Sequence, residues 1–381
     1  MIASYMKEIY QKFHQNPEPP FQEIWTSELI AQELIRLGFE VKTGIGRTGV
    51  VGVLHGSAPG PHIAFRSDMD ALPIEENTSV SYASKNAGMM HACGHDSHMA
   101  VLLACCQYAA GLKNELKGTV QVVFQPAEEI VEGAKAMLAE GLFSDKKPDY
   151  MFALHNWPHI PVGSVGIQAG PLTAYSGRFE AVFKGVGGHG AFPHKAKDPI
   201  AMATSAVQSA YTLVQRYSNP QGARVMSVGL IRGGSSFNVI PDRVTIEGTV
   251  RALQRSEQEK MVELLHQAFG AAARLYAGSY ELLYEEGVPA VVNDRELARQ
   301  LVEMLGKSRP ELSVLTSDLA SLIGEDVAYF FNLVPGVLIF IGSGQEEGIN
   351  ELHHPEYLVP EQTLHVGLKV LSSIVDHFCR N

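Results

Sequence analysis

Polar clusters follow β-prone runs at five places in this chain, and that recurrence restricts the available folds more than any other feature. His62 to Arg66 leads into Asp68 and Asp70, with Cys93 and His95 in the next loop. Thr119 to Phe124 leads into Glu128 and Glu129, Tyr150 to Leu154 into His155, and Val337 to Ile341 through a Gly-rich loop into His353 and His354. Helical runs intervene. Two fill the first forty residues, broken at Asn16-Pro17-Glu18-Pro19-Pro20, and the run from His98 to Tyr108 is apolar nearly all round, as a buried helix is. Strands alternating with helices predict an α/β sheet covered on both faces, with strand-end polar groups collected at one edge.

The pattern changes near Pro171. From Arg178 to about Glu286 the order reads strand, helix, strand, strand, helix, strand, a complete two-layer α+β unit. Its first helix is expected to open at Asp198-Pro199, a cap followed by proline, and its second at a capping box over Ser256 to Glu259. Helix and strand alternation resumes at Asn293. A chain of 381 residues is too long for one compact core. The expected division is therefore a discontinuous first domain, 1–173 and 288–381, carrying a mixed α/β/α sheet, with 174–287 inserted as a ferredoxin-like α+β domain.

Chemistry concentrates at His91-Ala92-Cys93-Gly94-His95-Asp96-Ser97-His98, where a thiol, three imidazoles and a carboxylate fall within one short stretch. Thiolate and neutral imidazole are good donors to zinc and related divalent ions, and Gly94 between Cys93 and His95 lets both turn to one centre. Each of the other clusters alone has an ordinary structural explanation: a strand-end Asp forms turns, and a Glu pair is usually solvated. Their joint recurrence is what points to a site. Glu128 and Glu129 are adjacent, and in extended backbone successive side chains point opposite ways, so one could hold a metal while the other acts as general base.

Composition excludes several alternatives. The formal charge is −11 without Lys/Arg runs, which argues against a nucleic-acid groove or a polybasic membrane patch. No apolar run approaches the roughly 18 residues of a membrane span. Four cysteines without regular spacing suggest a reducing compartment, and the first residues lack a leader pattern, so the cytoplasm is the expected location.

The runs Arg66-Ser67-Asp68-Met69-Asp70-Ala71-Leu72-Pro73, Met90 to Asp96, Phe124 to Glu129 and Leu352-His353-His354-Pro355 resemble, in order, the amidohydrolase branch of the dinuclear-zinc aminoacylase/carboxypeptidase family. The resemblance implies a metal set of Cys93, His95, Glu129, His155 and His353, with Glu128 as general base and Asp70 orienting a ligand or the base. Asp68 stands where other branches place a ligand histidine and is left out of the set; His353 is preferred to His354 on the family pattern Leu-His-x-Pro. The inserted domain resembles the family's lid, in which His189 would stabilise an oxyanion while Asn238, Arg251 and His194 contact substrate. Two divalent ions are implied, zinc first, with manganese, cobalt or nickel also suited.

The expected reaction is hydrolysis of the amide bond of N-acyl-L-amino acids, and the expected partner is that small molecule. A homodimer through the lid is an arrangement some relatives use. Two rival readings stand beside it, a dipeptidase or small-peptide exopeptidase using the same centre and a metal-binding relative without turnover. A further one makes Cys93 a nucleophile partnered by His95.

Overall fold

The computed structural model describes residues 2–345 and 351–380. The chain forms two compact units: Met1–Leu172, Val291–Leu319 and Glu325–Asn381 make the first, and Thr173–Ala290 with Ala320–Gly324 the second. Nothing in the sequence pattern marks the short return of Ala320–Gly324 to the inserted unit. Part of the Gly-rich loop before His353, residues 346–350, lies outside the described residues, as do the terminal positions 1 and 381 of the expected first domain.

In chain order the first unit comprises α1 (Ile2–Gln15), α2 (Ile24–Arg36), β1 (Glu40–Ile45), β2 (Gly49–His55), β3 (Ala58–Asp68), α3 (His95–Gly111), β4 (Lys117–Gln125), α4 (Gly133–Ala139), β5 (Tyr150–Pro161), β6 (Ser164–Gly166) and β7 (Gly170–Pro171). The second comprises β8 (Tyr175–Lys184), β9 (Gly188–His189), α5 (Pro199–Tyr217), β10 (Arg224–Gly233), β11 (Val239–Ile240), β12 (Arg243–Ala252), α6 (Arg255–Leu275) and β13 (Ser279–Glu286). The first unit then resumes with β14 (Val292–Asn293), α7 (Arg295–Ser308), β15 (Ser313–Leu315), α8 (Ala328–Phe331), β16 (Gly336–Gly344) and α9 (Glu361–Cys379).

The first unit is built on a mixed sheet of order β1-β2-β4-β3-β5-β16-β6-β15. Its centre, β4-β3-β5-β16, is parallel. Both faces are covered, as parallel strands require. Phe152 and Leu154 point into a core shared with α1, α3, α7 and α9. Met151 and Ala153, one residue out of step, enter the opposite core with α4 and α8. The parallel strands put their carboxyl ends on one edge, where α/β sheets place their sites.

Several strands outrun the lengths read from sequence, and two of the extensions bear on the site. β3 continues to Asp68, which pairs with Gln125 of β4, so Asp68 ends the strand rather than following it. β5 continues to Pro161, and its pairing with β3 stops at Ala153 opposite Arg66. His155 therefore lies within a strand, paired with Phe340 of β16, but beyond the end of the β3 ladder. Conversely α3 begins three residues earlier than expected, at His95.

The second unit is a ferredoxin-like α+β fold: a four-stranded antiparallel sheet of order β10-β12-β8-β13. α5 and α6 pack on one face of it, Met202, Leu265 and Phe269 sharing a core with Phe179, Phe183 and Ile246 of the sheet. The exposed side chains carry ion pairs such as Arg178 to Glu247 at 2.6 Å. α5 opens at Asp198, whose carboxylate accepts the Ile200 N–H at 2.8 Å. The capping box expected for α6 does not form. α6 begins at Arg255 with Gln254 as cap residue and no side-chain cap bond, which places Ser256 inside the first turn where its hydroxyl cannot cap.

The first unit also buries a charge pair. His14 of α1 contacts Asp96 at 2.6 Å and Glu76 at 3.1 Å, all three almost solvent-free. Burial alone would lower the His14 pKa, but Asp96 and Glu76 raise it to about 9. Because the folded-state value is raised above the usual 6.5, the stabilisation is complete below that pH and is lost as pH rises through about 9. Replacing His14 with Ala should cost about 3–5 kcal/mol at pH 6, since two buried carboxylates lose their cation. Denaturant melts compared at pH 6 and pH 10 should show that difference shrinking; a pH-independent difference would contradict the assignment.

Candidate metal centre

Asp70, just past the end of β3, organises the carboxyl edge of the sheet. Its carboxylate accepts the backbone N–H of Glu128 and of Glu129, each at 3.0 Å. Its carbonyl accepts Nδ1–H of His95 at 2.9 Å. One residue thus sets the turn after β4 and the ring at the start of α3.

That turn corrects the sequence reading of the two glutamates. They are not extended; Ala127 ahead of them is left-handed at φ 53, and the Val131 N–H closes on the Glu128 carbonyl at 2.7 Å. Both carboxylates consequently turn toward one ring, each 3.9 Å from His95 Nε2. The placing of the two carboxylates comes from a turn pinned by Asp70, not from strand alternation.

Gly94 lets Cys93 and His95 share a centre. It caps α3 with φ at 81, and a Cβ there would stand 2.7 Å from Asn156 Oδ1. Both conditions select glycine. His155 donates Nδ1–H to the Asn156 carbonyl at 2.7 Å, leaving Nε2 facing Cys93 Sγ at 3.5 Å. His95 and His155 thus both hold Nδ1–H on a carbonyl, which turns Nε2 into the site, the orientation metal-ligating histidines adopt. Burial lowers the His95 pKa, but Asp68 and Cys93 raise it well above its usual value in the metal-free site.

The donor atoms of Cys93, Glu129 and His353 lie within 4.8 Å of one another, as do those of His95, Glu128 and Glu129. His353 reaches Glu129 at 3.5 Å from a left-handed backbone whose N–H bonds Ala92, whereas His354 Nδ1 accepts the Glu356 N–H. All five residues of the expected metal set therefore gather with Glu128 and Asp70 at one edge. His95 Nε2 and Glu129 Oε1 are buried without a hydrogen-bond partner among the described residues. Two orphaned acceptors beside a thiol fit a divalent cation with nitrogen, oxygen and sulfur donors.

Electrostatics agree. Burial, then Glu325 and Asp326, push the Glu128 carboxyl well above the usual range, and burial followed by Glu129 pushes the Cys93 thiol up. Burial raises Glu129 to about 7, despite His95. Burial, then His98, lowers His155 to about 3, which keeps its ring neutral. Acids that hold protons this firmly surround a place where positive charge would be welcome.

Sequence reasoning gave no role to several residues that hold this edge. Arg66 is fully buried and binds Asp68 at 2.7 Å, Gln125 at 2.9 Å, Glu325 at 3.0 Å and Asp326 at 3.2 Å. An arginine inside an apolar β-run was the available signal, since such a charge demands buried partners. Asp68 also meets His98 at 2.7 Å, and its oxygens fall in a second group with His95, His98 and His155. Both Asp68 and His98 are already engaged, Asp68 by Arg66 and His98 by Asp68 and Asn156.

His189, His194, Asn238 and Arg251 all belong to the second unit. His189 in β9 pairs with Val239 in β11, and Gly190 N–H bonds the Asn238 carbonyl at 2.9 Å. The His189 and Asn238 positions are thus neighbours on one exposed hairpin-like pair. Arg251 lies in β12, donating to Thr249 at 3.1 Å, and His194 sits in the 3-10 turn Pro193–Lys195.

Residues 64–377 match the family model described as peptidase family M20/M25/M40. The chain is 37% identical over 360 residues to the N-acetyl-L-cysteine deacetylase of Bacillus subtilis, covering 93% of this chain and 84% of that one. It is 36% identical over 385 residues to an IAA-amino acid hydrolase of Arabidopsis thaliana, covering 100% and 86%. A crystal structure of a Bacillus subtilis protein described as a dinuclear metal binding peptidase from the M20 family superposes with a TM-score of 0.86 at 33% identity, covering 99% of each chain.

The requirement for glycine at position 94 shows in stability alone, apart from activity. Gly94→Ala should destabilise the first unit by at least about 1–2 kcal/mol, the cost of a left-handed non-glycine residue before any clash is counted. The shift is read as a lowered denaturation midpoint; an unchanged midpoint would refute it.

Proposed function

Because this chain belongs to peptidase family M20/M25/M40 and is a metal-dependent amidohydrolase or peptidase of that family, we propose that it hydrolyses the amide bond of N-acyl-L-amino acids, releasing a carboxylate and a free amino acid. The observation that carries the reading is the Asp70-held turn, which presents Glu128 and Glu129 side by side to His95. Deacetylation by one relative and cleavage of amino-acid conjugates by another, as their names state, are both acyl-amide hydrolysis.

In this reading Cys93, His95, Glu129, His155 and His353 hold two divalent ions, zinc first, with manganese, cobalt or nickel served by the same donors. When bound, such ions would supply Lewis-acid polarisation of the scissile carbonyl and activation of the attacking water. Glu128 takes the proton from that water on its carboxylate and returns it to the leaving nitrogen. Asp70 keeps Glu128 and Glu129 in register through their N–H groups. The family resemblance adds oxyanion stabilisation by His189 and substrate contact by His194, Asn238 and Arg251.

An exopeptidase reading draws support from the B. subtilis structure described as a peptidase. A panel of N-acetyl and N-benzoyl amino acids set against dipeptides separates the two: the proposal expects higher kcat/KM for the acyl amino acids, and a preference for dipeptides reverses it. Glu128→Gln should lower kcat by about 10²–10⁴-fold with metal content unchanged. Retained turnover in that variant would remove Glu128 from the role of base.

A further inference from the structure

We infer that Glu23 is a positioning residue for the turn carrying Glu128 and Glu129, an assignment that rests on the reading of Glu128 as general base. Glu23 is completely buried at the start of α2. A carboxylate at a helix cap ordinarily bonds the free N–H groups of its own first turn. Here those groups are already taken, because Glu18 accepts the Trp25 N–H at 3.1 Å and the Thr26 N–H at 2.9 Å. The Glu23 carboxylate is thereby released from capping and reaches across the fold. One oxygen accepts the Ala127 N–H at 2.9 Å, and the other accepts the Thr48 hydroxyl at 2.5 Å.

Ala127 is the left-handed residue that turns the chain into Glu128. An alanine holds that conformation only where its surroundings impose it. The imposed framework is continuous: N–H of residue 127 goes to Glu23, and those of 128 and 129 go to the two oxygens of Asp70. Three successive backbone donors are thus fixed by two buried carboxylates arriving from opposite directions. Thr48 fixes the rotation of the Glu23 carboxylate and so completes the clamp. Removal of the Glu23 acceptor leaves a buried N–H unpaired beside a conformation that needs support, and the turn relaxes. Glu128, and Glu129 with it, then loses its aim while His194, Asn238 and Arg251, the groups proposed to contact substrate, are untouched, so the effect falls on kcat rather than KM.

The test compares Glu23→Met, which keeps volume and removes the acceptor, with Glu23→Gln, which keeps an acceptor for Ala127. Metal-reconstituted full-length variants are assayed with an N-acetyl amino acid, and amide hydrogen exchange is followed over 126–129. Glu23→Met is expected to lower kcat on the order of 10- to 100-fold with little change in KM and to lose protection at the Ala127 amide. Glu23→Gln is expected to restore most of both. Unchanged kcat in Glu23→Met, or a Glu23→Gln variant as slow as Glu23→Met, overturns the inference. If Glu23→Met does not fold, Thr48→Val decides: a lowered kcat at constant KM supports the clamp and a wild-type kcat overturns it. Full activity in Glu128→Gln would instead sink the functional reading, and the exchange protection at Ala127 would still report on the clamp by itself.

Discussion

The Asp70 carboxylate, shared between two consecutive backbone N–H groups, is the interaction on which the rest of this edge depends. Side chains one residue apart ordinarily diverge. Fixing both amides to one carboxylate makes Glu128 and Glu129 part of a single turn, and the same residue's carbonyl orients the ring of His95. Position and orientation at the centre thus descend from one aspartate just beyond a parallel strand. The strand itself is rigid because it is paired on both sides, with β4 and with β5.

Charge imposes the second constraint. Arg66 supplies a fixed buried cation, and Asp68, Glu325 and Asp326 all draw on it. It does not satisfy them equally: burial raises the Asp326 carboxyl to about 7 in spite of Arg66. Asp68, by contrast, is held well below its usual range against the penalty of burial by His95, His98 and Arg66. The excess of acid therefore faces Glu128, Glu129 and Cys93, where proton affinity is high and two acceptor atoms have no partner among the described residues. A bound cation would relieve these penalties together.

Much of this was legible from the chain alone. The alternation of elements fixes the mixed α/β/α sheet and the inserted β-α-β-β-α-β unit, because periodicity reports which face of each element is buried. That Asp70, Cys93, His95, Glu128, Glu129, His155 and His353 collect at one edge followed from polar residues recurring after β-runs, and the selection of a metal set among them came from the family resemblance. Geometry that depends on one backbone dihedral was not legible: the left-handed Ala127 converts an expected strand-like Glu pair into a turn, and alanine carries no signal for that conformation. Nor were Glu23, Glu325 and Asp326, whose partners lie far away in sequence and whose surroundings look solvated when read locally. The capping box at Ser256 failed for the opposite reason, since the motif was present but the helix had already begun.

The central claim is that this edge is built to receive cations in place of protons. Calorimetric titration of metal-stripped protein with zinc near pH 7, in two buffers of different ionisation enthalpy, tests it most directly. The account predicts saturable uptake of two ions with net release of protons, because the Cys93 thiol and the Glu128 and Glu129 carboxyls retain them in the stripped protein. Uptake without proton release, or uptake that persists unchanged after Cys93→Ala and Glu129→Ala are combined, would contradict it.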